Sequence, residues 1–315
     1  MADDLIDDAP DADSASTALG SLHRFLELAY TPGTDASSLK SFIIKTFPPE
    51  AHASLLLLPT AILPRQPLED LLEGFATDLL FARGVPGSDA PGPIKTPKDL
   101  DTYAHRVAGT VGELCVALVF HHCRPASAGP STRDAQDWEN LQKEMASQAD
   151  VMGGALQLVN ISRDVWVDAR LEPAGRCYIP AEWLAQKGTS TQGVLQVARA
   201  ASAGTPSGEK GDKGGEECRA AIMECRRQLL DSAQERYRDA RGAIEQLPTM
   251  WGARRGVRLA VEAYMEIGRV LRTRLDGQTG SGKGEVEAKK EWEGRGKATV
   301  SKWRRMWTIW KTLAL

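Results

Sequence analysis

Residues 96–118, TPKDLDTYAHRVAGTVGELCVAL, read as a helix from the first position onward. Thr96 is a capping residue and Pro97 fits the first turn, where its missing N–H is not needed. Asp99 stands three residues after the cap, in reach of the cap's backbone. Leu100, Tyr103, Val107, Val111, Leu114 and Leu118 then recur at steps of three or four, which predicts one continuous buried stripe. The same spacing extends outward on both sides. It predicts helices over 67–81, 133–171, 216–246, 257–275 and 286–312. Pro173 and Gly175 end the second of these, and Pro248 separates the third from the fourth. No run alternates with period two. The expected fold class is all-α.

Composition bounds the function. Of 315 residues, 42% are apolar and 26% charged, ordinary globular usage that excludes wholesale disorder and a fibrous repeat. Long helices can build one large core from this length. Lys and Arg number 39 against 42 Asp and Glu, a formal charge of −3, which argues against a nucleic-acid binder with its clustered positive charge. Cys115, Cys123, Cys177, Cys218 and Cys225 are odd in number and form no CxxC pair, so neither a disulfide framework nor a zinc site is expected. The most apolar stretches, 54–63 and 112–120, fall short of the roughly 18 residues of a membrane span. No basic segment followed by an apolar one opens the chain. A soluble, cytoplasmic protein is the expectation. Flexible loops are expected near 124–131, at 204–215 (GTPSGEKGDKGG) and at 277–284 (GQTGSGKG). The last is not read as a phosphate loop, because no Ser or Thr follows its lysine and no apolar strand precedes it.

Chemistry concentrates in residues 157–180, QLVNISRDVWVDARLEPAGRCYIP. On a helix Asn160, Asp164 and Asp168 stack at successive i, i+4 positions, and Gln157 extends the row. Such a row of oxygens suits Mg²⁺, which shares its ligands readily with a diphosphate, and Mn²⁺ is an alternative. Arg163 lies beside the row with a fork of donors that matches a phosphate oxygen. An acid pair four apart arises about five times by chance among 42 acids, usually on a solvated face. Here the flanking Gly153, Gly154, Ala155, Leu156, Val159 and Ile161 describe a closely packed helix, where such a row is costly without a compensating charge. A second cluster, residues 3–8 (DDLIDD), repeats the spacing at Asp3 and Asp7; the ordinary reading there is a frayed acidic terminus.

Taken in order, DDLIDD at 3–8, PLEDLLEGFATDL at 67–79, YAHRVAGTVG at 103–112, and NISRDVWVD with GRCYIP within 160–180 resemble the successive signatures of the squalene/phytoene synthase family, closest to fungal-type phytoene synthases. Beyond Pro180 the match weakens, with Tyr264 in VEAYMEIGRVLR as the best remaining candidate. The resemblance implies an isoprenoid synthase-like helical bundle around a central cavity, with two facing aspartate-rich helices. It assigns Asp3, Asp7, Asp164 and Asp168, with Asn160, to the metal and diphosphate shell. Gln157 and Arg163 fall at diphosphate positions, and Tyr103 matches a tyrosine lining the reaction centre. The implied reaction condenses two geranylgeranyl diphosphates head to head to phytoene through a cyclopropyl intermediate. Prenyl diphosphate is the implied substrate and no nicotinamide is expected. A C30 squalene-type synthase, or an inactive helical assembly protein derived from the family, are the alternatives.

Further expectations attach to this resemblance. Val107, Ala108, Gly109, Gly112, Gly153 and Gly154 either leave room for prenyl chains or let helices pack closely. Family helices that precede the first aspartate motif are missing here, so 1–315 is expected to be a single domain lacking its first helices, with doubtful activity of its own. Arg295 and Lys297 are candidates for a late active-site cation, and neither is assigned. Finally, Trp303, Trp307, Trp310 and Leu313 share a face of a basic segment, either as a peripheral membrane contact or as the close of the core.

Overall fold

Among the described residues every regular element is a helix. The computed structural model describes residues 4–7, 9–82, 92–125, 133–171, 174–202, 213–248 and 252–277. α1 (Asp4–Asp7) is a single turn. α2 (Ala12–Tyr30) and α3 (Ala36–Thr46) are each capped by an aspartate: Asp11 accepts from the Ser14 N–H at 2.7 Å and Asp35 from the Ser38 N–H at 3.0 Å. α4 (Pro49–Leu56) starts on a proline, and α5 (Arg65–Ala82) follows. The chain continues through α6 (Pro97–Ala104), a π-turn (His105–Gly109), α7 (Thr110–His122), α8 (Arg133–Asp168), α9 (Ala181–Gln186), α10 (Thr191–Ser202), α11 (Lys213–Ile244) and α12 (Ala253–Gly277).

The helices expected over 67–81, 133–171, 216–246 and 257–275 correspond to α5, α8, α11 and α12. α2, α3, α4, α9 and α10 had no counterpart in that expectation. α3 and α4 bury only Ile43, and Ala51 with Leu55, so short capped segments stand in for a strong stripe. Of the loop expected at 204–215, residues 213–215 belong instead to α11, which starts at Lys213. The remainder of the three expected loops falls mostly outside the described residues. The helix at 286–312, with Arg295, Lys297 and the C-terminal tryptophans, lies wholly outside them. No helix among the described residues is long and apolar enough to cross a membrane.

α6 begins as its residues require. The Thr96 N–H donates to Asp99 Oδ2 at 2.8 Å, and the Asp99 N–H donates to Thr96 Oγ1 at 3.2 Å. The stripe that follows is not continuous. Leu100 and Tyr103 are buried, but Val111 is 43% exposed and the buried set beyond it is Val116, Ala117 and Phe120. The cause is the π-turn at His105–Gly109. One extra residue in a turn rotates all that follows by about 100°, so the later half of the predicted stripe leaves the core.

α8 is the central element, packed by α7 and the π-turn on one side and by α11 and α12 on the other. Its crossing with α7 has no room for side chains. A Cβ on Gly153 would lie 2.4 Å from the Ala108 carbonyl oxygen, and one on Gly112 would lie 2.5 Å from that of Ala149. The main core joins α8, α11 and α12 to residues 177–184, including Trp166, Ile179, Leu184 and Leu229. A second cluster, with Phe25, Ile43, Phe47, Leu72 and Phe75, holds α1 to α5 together.

Candidate active site

A cavity of about 430 Å³ runs alongside α8, which contributes Met145, Ala149, Met152, Gly153, Leu156, Gln157 and Asn160 to its wall. From Met145 to Asn160 the helix rises about 22 Å. Val111, turned out of the core by the π-turn, and Val107, half-buried at the edge of the core, line the opposite wall with Gly112, Cys115 and Val119. α11, the turn that follows it and α12 close the remainder with Ala243, Leu247, Ala260 and Val261. The small residues 107–112 and 153 therefore serve both expected purposes: Gly112 and Gly153 let α7 approach α8, and both border the cavity.

The polar residues of this wall include Gln157 and Asn160 toward the C-terminal end of α8, with Tyr264 across from them on α12. Asn160 Nδ2 donates to Gln157 Oε1 at 3.5 Å. Asn160 Oδ1 is buried and accepts no hydrogen bond, a costly state for an amide oxygen. Asp164 lies one turn further along α8 and Asp168 two turns. Arg163 Nε donates to Asp164 Oδ1 at 2.9 Å, and a second guanidinium N–H donates to Oδ2. The bond to Asp164 holds Arg163 above the usual guanidinium range against the opposing effect of burial, and Tyr264 adds to it. Asn160, Asp164 and Asp168 thus present an all-oxygen set containing one acceptor without a partner, and this fits a hard divalent cation.

Tyr103 takes a different place. It is 5% exposed and is not part of the cavity wall. Its hydroxyl donates to Asp78 on α5, at 3.0 Å from Oδ1 and 3.3 Å from Oδ2. The Tyr178 hydroxyl donates to the same Oδ1 at 2.7 Å, and the two rings stack with centroids 4.9 Å apart. Burial first, then the neighbouring phenol and the Asp78 charge, push the Tyr103 phenol well above its usual range. Tyr178 comes back to α8 because Gly175, at φ +78°, reverses the chain after α8. The Arg176 N–H then donates to the Asp168 carbonyl at 2.7 Å. Asp168, Arg176 and Tyr178 border one small gap there, together with Ile161 and Val165.

Of the residues expected at the site, α8 aligns Gln157, Asn160, Arg163, Asp164 and Asp168, and α12 brings Tyr264 to them. Asp3 lies outside the described residues, and only the backbone of Asp7, the last residue of α1, is described. Sequence reasoning missed Asp78 and Tyr178. A signal for Asp78 existed: it interrupts the apolar face of α5 formed by Leu72, Phe75 and Leu79. It also missed a set around the π-turn, where His105 Nδ1 lies 2.7 Å from Asp150 Oδ1, with Glu113 close by.

The sequence model of the squalene/phytoene synthase family matches residues 1–304. The chain is 38% identical over 314 residues to a bifunctional lycopene cyclase/phytoene synthase of Gibberella fujikuroi, covering 99% of this chain and 45% of that protein. It is 39% identical over 313 residues to the protein so described in Phaeosphaeria nodorum (99% and 44% covered) and 39% over 323 residues to that of Neurospora crassa (99% and 46%). The chain therefore spans less than half the length of these relatives. Among solved structures, a dehydrosqualene synthase aligns at TM-score 0.47 and 18% identity, covering 97% of this chain and 88% of that one. A squalene synthase from Alicyclobacillus acidocaldarius aligns at 0.42 and 17%, covering 85% and 81%. With the family's sequence model matched over almost its whole length, and identity near 38% to phytoene synthase-containing proteins across 99% of its residues, this chain belongs to the squalene/phytoene synthase family.

Proposed function

We propose that this chain is a Mg²⁺-dependent prenyltransferase that joins two geranylgeranyl diphosphates head to head, giving phytoene, two diphosphates and two protons by way of a cyclopropyl intermediate. The observation that carries the reading is the long apolar cavity that reaches Asn160, one turn short of Asp164. A prenyl chain lies along the cavity, and its diphosphate rests at the oxygen row. Asn160, Asp164 and Asp168 would hold the metal. When bound, Mg²⁺ supplies the positive charge that lets an allylic diphosphate leave.

The chain's own residues do the rest. Arg163, gripping Asp164, turns part of its donor fork to a phosphate oxygen. Asn160 Oδ1, buried and accepting no hydrogen bond within the protein, would be one of the oxygens that hold the metal. Val107, Val111, Leu156 and Val261 keep water from the allylic carbon after the diphosphate has left. The relatives named as phytoene synthases support the C40 product. Incubating the chain with geranylgeranyl diphosphate and Mg²⁺ and extracting the products tests the reading. A C40 triene-core hydrocarbon is expected. A C30 product from farnesyl diphosphate alone would replace it with the squalene-type reading, and no turnover of either substrate would overturn both.

A further inference from the structure

We propose that Asp78 is a positioning residue of this site, a single carboxylate that takes the phenol hydrogens of both Tyr103 and Tyr178 and so fixes their stacked rings beside the Asp168 end of the oxygen row. The proposal rests on the prenyl-coupling activity proposed above.

The geometry is specific. Asp78 is 8% exposed and sits on α5, while the two tyrosines come from α6 and from the segment that returns after α8. One oxygen, Oδ1, accepts from both hydroxyls, at 2.7 and 3.0 Å. A buried carboxylate needs such donors to remain charged, and the rings need a fixed acceptor to remain parallel. The Phe81 ring meets Tyr178 edge-on, with centroids 4.9 Å apart. Tyr178 is held in turn through Arg176, whose N–H is bonded to the Asp168 carbonyl.

This arrangement has a chemical consequence. A phenol carries one hydrogen, and in each tyrosine that hydrogen is committed to Asp78. Each hydroxyl therefore offers the rest of the site lone pairs only, beside an electron-rich ring face. Such a group steadies a nearby cation and does not protonate a leaving group. An asparagine at 78 would keep one acceptor oxygen but lose the charge, and it would put a donor amide where Oδ2 lies 3.3 Å from the Tyr103 hydroxyl, so both phenols are held more weakly.

A double-substitution cycle tests the proposal on the full chain, with geranylgeranyl diphosphate and Mg²⁺ as the probe. Asp78→Asn is expected to lower kcat on the order of a hundredfold, the cost of a small displacement at a reacting centre. KM should stay within about twofold, since the substrate's diphosphate is held elsewhere. Because Asp78 acts through Tyr103, adding Tyr103→Phe to Asp78→Asn should cost no more than about threefold beyond the worse single variant. Tyr178→Phe leaves the bond from Tyr103 in place and serves where Asp78→Asn does not fold. It is expected to release more cyclopropyl intermediate per hydrocarbon formed at a nearly unchanged melting temperature. Additive losses in the cycle overturn the Asp78 assignment alone, as does an Asp78→Asn enzyme with wild-type kcat. Where only Tyr178→Phe folds, wild-type kcat and product ratio do the same. A wild-type chain that makes no hydrocarbon overturns the activity, and this proposal with it.

Discussion

Arg163 grips Asp164, its neighbour in sequence, through a two-pronged hydrogen bond whose Nε prong is 2.9 Å long. Both side chains are largely buried, with 19% and 16% of their surface exposed. A carboxylate in the oxygen row is thus neutralised by a guanidinium. On the proposed reading a metal and the arginine would compete for the same oxygens, and a diphosphate would resolve the competition by giving the arginine another anion.

A separation of effects follows from that competition. Arg163→Gln should lower the Mg²⁺ concentration for half-maximal turnover by a few-fold, because Asp164 is freed, while raising KM for the prenyl diphosphate about tenfold. Asp164→Asn and Asp168→Asn should each abolish Mg²⁺-dependent turnover with helix content unchanged. Metal titrations at saturating substrate, with circular dichroism as the fold check, would measure all three. An Arg163→Gln enzyme needing more Mg²⁺ than the parent would contradict the competition.

Stability should fall as pH rises through neutrality, with His105 as a source. Burial works against protonation of its ring, but the Asp150 hydrogen bond and the charges of Asp150, Glu113 and Asp70 outweigh it and raise the pKa above 6.5. The native state then holds a proton that the unfolded chain has lost. This contribution is complete below the unfolded value of 6.5 and disappears as pH climbs through the raised native value. Glu113, raised above 4.5 first by burial and then by Asp150, acts in the same direction at lower pH. Urea midpoints at about pH 6 and about pH 8.5 should differ, and the difference should shrink in His105→Gln.

Gly153 and Gly20 make a contrasting pair. An alanine methyl at 153 would meet the Ala108 carbonyl oxygen at 2.4 Å and Gly109 Cα at 2.8 Å, all backbone that cannot swing away. Gly153→Ala should therefore destabilise by about 1–3 kcal/mol and open the α7–α8 crossing. Gly20 on α2 has nothing within 4 Å, so Gly20→Ala should be neutral or stabilise by up to about 1 kcal/mol. Equal denaturation midpoints for the two variants would refute the close-crossing account.

Cys115 offers a probe of the cavity that needs no substitution. It is the exposed member of the five free thiols and lines the cavity, whose apolar walls raise its pKa. Cys177 and Cys225 are buried, with burial pushing them up to about 12 and about 11. An aromatic disulfide reagent at about pH 8 should modify one thiol per native chain, slowly, and peptide mapping should place it at Cys115. Prenyl diphosphate with Mg²⁺ should protect it. Modification that substrate does not slow would mean that the prenyl chain lies elsewhere.

Local chemistry alone was enough for the helical class, for α6 down to its capping box, and for the alignment of Asn160, Asp164 and Asp168. Each depends on residues within one or two turns of each other, where spacing and geometry are the same thing. The long helices α5, α8, α11 and α12 were legible for the same reason. What tertiary structure decided is where those faces point. The π-turn at His105–Gly109, which leaves no mark in the apolar pattern, moved Val111 from the expected core stripe to the cavity wall. Asp78 was one acid among 42 until folding brought Tyr103, 25 positions away, and Tyr178, 100 positions away, to its carboxylate. The orphaned Asn160 oxygen is likewise a property of burial, which no spacing encodes. Contacts between distant residues depend on how the helices cross, and that is set by steric details such as the missing side chains at Gly112 and Gly153.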